Sequence, residues 1–431
     1  MKMRATRSVN GKIDLPGDKS ISHRAALIAA MASGETRIGN FSASADCAST
    51  LSCLHDLGVE IRRENTTVFI KGAGKKGFQT PKKALDCGNS GTTMRLLAGI
   101  LAGQNFESIL IGDESLSKRP MQRIIEPLEA MGAKIDAENG CAPLKIRGKA
   151  PLHAIAYDMP VASAQVKSCV LLAGLNAEGI TCVVGDTEMM RDHTERMLRL
   201  FGAEIETKQG TICISGKSDL TAQNLEIPAD ISSAAFFIVA AACLEGSEIV
   251  IENVGLNPTR TAFIDVLHRF GAEIEISHQR EICNEPRGTL RVSGGKDLRS
   301  VSASNIIRGK NIAGLIDEIP ILAVFGTRIE GGLEIRDAGE LRVKESDRIS
   351  AIAENLRRMN AKIEEFPDGF RVERSCLKGA KIDSLGDHRI AMAFAIAALF
   401  AEGETEIAGA ECADVSFPGF FEVLQAAETR A

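Results

Sequence analysis

Six times along the chain, a helix of small apolar residues runs into a Gly turn and then a β-branched strand. The copies read SISHRAALIAAMASGETRI near residue 20, SGTTMRLLAGILAGQNFESILI near 90 and SAQVKSCVLLAGLNAEGITCVV near 163. They continue as DISSAAFFIVAAACLEGSEIVI near 230, IDEIPILAVFGTRIEGGLEI near 316 and DHRIAMAFAIAALFAEGETEI near 387. A second signature is a leucine-rich helix that stops at a turn and enters another strand: LHDLGVEI, LEAMGAKI, LRLFGAEI, LHRFGAEI and LRRMNAKI. Its turns fall at Gly58, Gly132, Gly202, Gly271 and Asn360, at intervals of 74, 70, 69 and 89 residues. Glycine, or asparagine in its place, is what a left-handed helix C-cap requires.

Each unit reads helix, strand, helix, strand, strand, and at about 70 residues it is too large for a solenoid of short repeats. It cannot bury both amphipathic helices alone, so units are expected to pack helix-inward in groups. Three plus three is the natural division, giving an α+β fold of two similar domains. The boundary falls near LEIPADISS. Residues 1–16 then form an N-terminal strand pairing with the second domain, 17–227 the first three-repeat domain and 228–431 the second. The chain would cross between domains near Gly17 and near Pro228, making a hinge around a central cleft, and such clefts are favoured ligand sites.

Composition excludes several classes. No apolar run approaches the roughly 18 residues of a membrane span. MKMRATRSVNG has charge but no apolar stretch behind it, so no signal peptide is expected. A net charge of −6, no Trp and one tyrosine, Tyr157, argue against a nucleic-acid binder. The eleven cysteines include no C-x-x-C pair, and most, such as Cys169, Cys182 and Cys243, sit in apolar stretches as small hydrophobes. That predicts a reducing, cytoplasmic setting rather than a disulfide frame. The seven histidines lack ligand spacing, so neither a metal nor another cofactor is expected.

The polar clusters fall at the helix starts. LPGDKSISHR places Lys19, Ser20, Ser22, His23 and Arg24 around the first turn of a helix whose macrodipole is already positive there. Capping would need one Ser or Asp. A bound anion accounts for the rest, because a helix N-terminus offers free N–H groups and a favourable field. Similar clusters hold Asn89, Ser90, Gly91, Thr92 and Arg95, then Lys118 and Arg119, then Ser163 and Gln165, then Arg191, Asp192 and His193. In the later repeats they hold Asp317 and Glu318, then Lys344, Glu345, Asp347 and Arg348, then Asp387, His388 and Arg389. GNSGTT could be only a capped turn, VKESDRI a solvated helix start with internal ion pairs, and GDHRIAMA a cap. Recurrence weighs against this, since solvated charge has no reason to keep phase with a repeat.

These residues are also familiar as a set. LPGDKSISHRAALIAA, GNSGTTMRLLAG, RPMQRIIEPL, RDHTERML, LRVKESDRI and GDHRIAMA closely resemble the 5-enolpyruvylshikimate-3-phosphate synthase family, in its order and spacing, from about residue 10 to about 425. The longer phrases look most like its less glyphosate-sensitive bacterial branch. The resemblance implies two domains of three βαβαββ units each, the inverse α/β barrel of enolpyruvyl transferases. It also implies transfer of the enolpyruvyl group of phosphoenolpyruvate to the 5-hydroxyl of shikimate 3-phosphate, with release of phosphate, in chorismate and aromatic amino-acid biosynthesis. The expected partners are those two small molecules, with no membrane or nucleic acid, and the expected state is a monomer.

By the same resemblance, shikimate 3-phosphate is held by Lys19, Ser20, Arg24, Ser163, Gln165, Arg191, Asp317 and Lys344. Phosphoenolpyruvate is held by Lys19, Asn89, Gly91, Arg119, Gln165, Arg348 and Arg389. Asp317 is assigned as base for the hydroxyl, Glu345 and Lys19 as the acid/base pair at the methylene carbon, and His388 as the group that orients Glu345 or phosphate. Two departures stand out. Glu340 and Leu341 replace an Asn that many relatives carry before RVKE, and DVSFPGFF lacks a Lys that some relatives place before TFP. Gly91 leaves room for glyphosate, whereas Leu96 stands where sensitive relatives tend to carry proline, so intermediate tolerance is expected. The sister enzyme acting on UDP-N-acetylglucosamine usually starts with Lys-Asn where this chain has Lys19-Ser20, and its catalytic Cys loop has no counterpart near SKRPMQR. A non-enzymatic anion-binding module would not need carboxylates interleaved with cations.

Overall fold

The computed structural model describes residues 1–185, 187, 190–295, 297–300 and 304–429. They form two compact units. The first comprises Gly17–Ile227 with a short later segment, Ile282–Glu285; the second comprises Met1–Pro16, Pro228–Glu281 and the chain from Pro286 onward. Each has its own apolar core.

The first unit contains α1 (Lys19–Met31) and α2 (Ala45–Asp56), α3 (Gly91–Ala102) and α4 (Gln122–Ala130), α5 (Ala164–Gly174) and α6 (His193–Leu200). The second contains α7 (Ile231–Cys243) and α8 (Ala262–Arg269), a short α9 (Asn311–Leu315), α10 (Ile319–Gly326) and α11 (Arg348–Arg358), then α12 (His388–Ala398) and α13 (Phe420–Ala427). The small-residue helices are the inner ones. Every residue of α7, α10 and α12 is buried, as are Ile21–Met31 of α1 and Val166–Gly174 of α5. A helix apolar all round has no solvent face to offer, and Ala and Gly let such helices approach closely. The second helix of each repeat buries one face; α4, for example, buries Ile124, Ile125, Pro127 and Leu128. Gly58, Gly132, Gly202, Gly271 and Asn360 all take positive φ, between 63° and 104°. That is the left-handed turn read from the repeats.

The repeats build sheets by one rule: a leading strand runs parallel to the strand after the inner helix, which pairs antiparallel with the repeat's final hairpin. In the second repeat Leu85–Asp86 leads Glu107–Ile111, followed by Cys141–Arg147 and Lys134–Glu138. The first repeat takes its leading strand, Asn224–Glu226, from the end of the unit. The N-terminal Ser8–Lys12 instead leads Glu248–Gly255, and Lys2–Arg4 pairs antiparallel with Glu404–Ala408 in place of the sixth repeat's hairpin. After that repeat the chain turns into Phe417 and Phe420, which pack their rings on Phe237 at 6.2 and 5.7 Å.

One expectation is corrected. Cys182 is not a buried thiol but is joined to Cys213 in a disulfide. The two are directly opposed on the antiparallel strands Ile180–Val184 and Thr211–Ser215, with Cα atoms 4.1 Å apart. Residues 31 apart become neighbours only through sheet register, which no spacing rule reveals. Cys169 and Cys243 do behave as small hydrophobes, and burial pushes each thiol up to about 12. Among the described residues no helix is long and apolar enough to cross a membrane.

Candidate functional site

Polar residues gather at the N-termini of the inner helices in each unit. In the first unit the side chain of Asp18 caps α1 by accepting the Ile21 N–H at 2.9 Å. That cap leaves Lys19 and Ser20 at the mouth of the helix. Lys19 Nζ donates to Asp46 Oδ2 at 2.9 Å, and both groups are largely withdrawn from solvent. Asp46 was not read from the sequence as a site residue, because an acid in the first turn of α2 looks like an ordinary dipole partner. Arg24 points inward, donating to the Ser20 carbonyl at 2.9 Å, Thr194 Oγ1 at 2.7 Å and Ser168 Oγ at 3.1 Å.

The α3 turn forms a second group. Ser90 caps the helix by accepting the Thr93 N–H at 3.1 Å, which leaves Gly91 as the first helical residue. A Cβ at Gly91 would stand 2.8 Å from Arg95 Nη1 and 3.5 Å from Arg119 Nη1. Two guanidinium groups thus border a backbone that lacks a side chain. Arg119 donates to Asn89 Oδ1 at 2.8 Å, and Arg95 donates to Gln165 Oε1 at 2.6 Å. Gln165 Nε2 in turn donates to Thr92 Oγ1 at 3.0 Å. Asn89, Gly91, Arg119 and Gln165 are therefore brought together, with Arg95 added as a member the sequence reading had left without a role. Ser163 caps α5, accepting the Val166 N–H at 3.5 Å, and Arg191 lies half-buried in the turn before α6.

The second unit centres on Arg348, the first residue of α11 and almost wholly buried. Its Nε donates to Asp387 Oδ2 at 2.7 Å and its Nη2 to Glu345 Oε2 at 2.6 Å, while Nη1 lies 3.6 Å from Asp317 Oδ1. Burial opposes the charge, but Asp387, Glu345 and Asp317 together raise its pKa above the ordinary arginine value. Nη1 makes no hydrogen bond within the described residues and remains a donor for a further acceptor. Asp387 also caps α12, accepting the Arg389 N–H at 2.9 Å, and takes a bond from Ser346 at 3.1 Å. Arg389 folds onto the turn before α10, donating to the Asp317 carbonyl at 2.7 Å with Nη2 3.6 Å from Asp317 Oδ2. Buried Glu318, held by Ser232 and Arg260, lies 4.0 Å from Arg389 Nη1. His388 opens α12 and is buried.

Lys344 donates to Glu340 at 3.1 Å. The residue that departs from the family pattern therefore holds a cation, and its neighbour Leu341 is core. Among the described residues, no group of three or more His, Cys, Asp or Glu side chains is placed to hold a metal ion.

The family model described as EPSP synthase (3-phosphoshikimate 1-carboxyvinyltransferase) matches residues 3–424. The chain belongs to the EPSP synthase family. A 3-phosphoshikimate 1-carboxyvinyltransferase of Solibacter usitatus is 51% identical over 420 residues, covering 97% of each chain. One from Geobacillus kaustophilus is 49% identical over 423 residues, again covering 97% of each. Among solved structures, an EPSP synthase from Acinetobacter baumannii superposes with a TM-score of 0.87 at 42% identity, covering 99% of this chain and 98% of that one. The enolpyruvyl transferase NikO from Streptomyces tendae, 17% identical with a TM-score of 0.80 over 99% and 96% of the two chains, shares the fold. In this EPSP synthase family member the helix-start clusters are the places where a family site is to be sought.

Proposed function

We propose that the chain transfers the enolpyruvyl group of phosphoenolpyruvate to the 5-hydroxyl of shikimate 3-phosphate, giving 5-enolpyruvylshikimate 3-phosphate and phosphate. The observation that carries this reading is the Gly91 turn. A helix N-terminus without a Cβ, bordered by the guanidinium groups of Arg95 and Arg119, suits a small phosphorylated carboxylate. An acidic chain that concentrates cations at such turns selects anionic ligands locally.

The roles are those that the family resemblance implies. Lys19, Asn89, Gly91, Arg119, Gln165, Arg348 and Arg389 bind phosphoenolpyruvate, and Arg348 Nη1 is the donor its carboxylates leave over. Lys19, Ser20, Arg24, Ser163, Gln165, Arg191, Asp317 and Lys344 bind shikimate 3-phosphate. In the addition step Asp317 takes the 5-hydroxyl proton as the oxygen bonds to the central carbon of phosphoenolpyruvate, while the acid/base pair of Glu345 and Lys19 delivers a proton to the methylene carbon. In the elimination step the same pair removes a proton from the new methyl group, and phosphate leaves with the electron pair of its C–O bond. His388 orients Glu345 or the departing phosphate. The protein acts as a monomer in the cytoplasm.

The test is direct. Purified chain with both substrates should release phosphate and form a product heavier than shikimate 3-phosphate by one enolpyruvyl group, read by mass spectrometry. UDP-N-acetylglucosamine in place of shikimate 3-phosphate should give neither. No phosphate release with shikimate 3-phosphate would refute the reading.

A further inference from the structure

Beneath the Lys19 and Gly91 turns, the first unit buries a line of polar side chains that the proposed reaction does not use. His23 on α1, Thr50 on α2 and Thr93 on α3 are each 0% exposed, and Ser90 at the α3 cap is 1% exposed. His23 Nδ1 lies 2.7 Å from Thr50 Oγ1, which lies 2.7 Å from Thr93 Oγ1, which lies 2.8 Å from Ser90 Oγ. Three helices are joined through their side chains, and the line ends one residue before Gly91. The other ring nitrogen, His23 Nε2, is buried with no hydrogen-bond partner.

Counting hydrogens gives the line a direction. Thr93 has one hydroxyl hydrogen, directed at Ser90 Oγ, with the Asp46 carbonyl 3.4 Å away as a second acceptor. Thr93 Oγ1 can then only accept from Thr50, and Thr50 Oγ1 can only accept from His23 Nδ1–H. The opposite sense would place the ring hydrogen on Nε2, leaving a buried N–H with no acceptor. That is rarer and costlier than an unused lone pair. Burial, helped by Lys19 and Arg24, lowers the imidazole pKa well below its ordinary value, so the ring is neutral.

We infer that His23 is a positioning residue: as an Nδ1–H donor it sets, through Thr50 and Thr93, the Ser90 cap and with it the place of the Gly91 N–H. Its kinetic consequence rests on the phosphoenolpyruvate reading of that turn; the hydrogen's position does not.

Two measurements on the full chain test it. With nitrogen-15-labelled histidine, two-bond proton–nitrogen spectra of wild type and His23→Asn identify the His23 ring by difference. A neutral ring protonated on Nδ1 is expected; protonation on Nε2, or on both nitrogens at neutral pH, overturns the proposal. In steady-state assays His23→Leu should raise the KM for phosphoenolpyruvate about tenfold, the scale of one buried hydrogen bond, and that for shikimate 3-phosphate less than about threefold. His23→Asn keeps an N–H near the same place and should return the first KM to within about threefold of wild type. Should His23→Leu fold poorly, Thr93→Val should give the same split and Thr93→Ser should not. Equal rises for both substrates, or an Asn variant no better than Leu, overturn the positioning role. A wild type that releases no phosphate would refute the functional reading, and the ring spectrum alone would then decide the inference.

Discussion

Lys167 on α5 and Glu195 on α6 form an ion pair of 2.5 Å, with side chains 0% and 2% exposed. Neither Lys167 Nζ nor either Glu195 oxygen gains a well-directed hydrogen bond. Such a pair pays two desolvation penalties and recovers them only through its own attraction. Lys167→Met therefore leaves a buried carboxylate uncompensated and should cost about 3–5 kcal/mol, as should Glu195→Gln with the ammonium left behind. Full burial means that solvent screening does not reduce this figure. For a unit of roughly two hundred residues, where each kcal/mol moves the midpoint by about 2–4 °C, the singles should lose about 6–20 °C in Tm. The double variant Lys167→Met/Glu195→Leu replaces both charges with apolar volume and should return to within about 1 kcal/mol of wild type, or exceed it. Scanning calorimetry of wild type, Lys167→Met, Glu195→Leu and the double variant closes a double-mutant cycle, with Glu195→Gln measured beside them. A single variant losing less than about 3 °C, or a double as damaged as the worse single, would refute the reasoning.

Asp317→Ala and Glu345→Gln should fold normally yet lose about 100-fold or more in kcat, the usual scale for a general acid/base, and near-normal turnover in either would remove that residue from the mechanism. Arg119→Ala removes a charge-assisted contact worth about 1.5–3 kcal/mol and should raise the KM for phosphoenolpyruvate more than that for shikimate 3-phosphate; an unchanged KM counts against its placement. Gly91→Ala puts a methyl 2.8 Å from Arg95 Nη1 and should raise both the phosphoenolpyruvate KM and the glyphosate concentration for half-inhibition. Leu96→Pro, in the same buried helix, should increase glyphosate sensitivity; no increase would show that the shape of this helix does not set tolerance.

What was legible in the sequence was what local physics decides. Positive φ at a helix end demands Gly or Asn whatever surrounds it, so Gly58, Gly132, Gly202, Gly271 and Asn360 could be read as turns one residue at a time. A helix such as α7 with no polar face can only be buried, so the inner helices and their starting loops were also legible. The choice of partners was not. Lys19 meets Asp46 across 27 residues, Arg348 meets Asp387 across 39, and Cys182 meets Cys213 across 31. Nor does any local signal say that the first repeat borrows Asn224–Glu226 as its leading strand, or that Ile282–Glu285 joins the first unit, where Glu285 accepts from buried His193 at 2.8 Å. Backbone conformation and burial period act over a few residues and leave a mark on composition. Ion pairing, register and disulfide partners depend on which distant segments share a low-dielectric interior, and only the tertiary structure decides that.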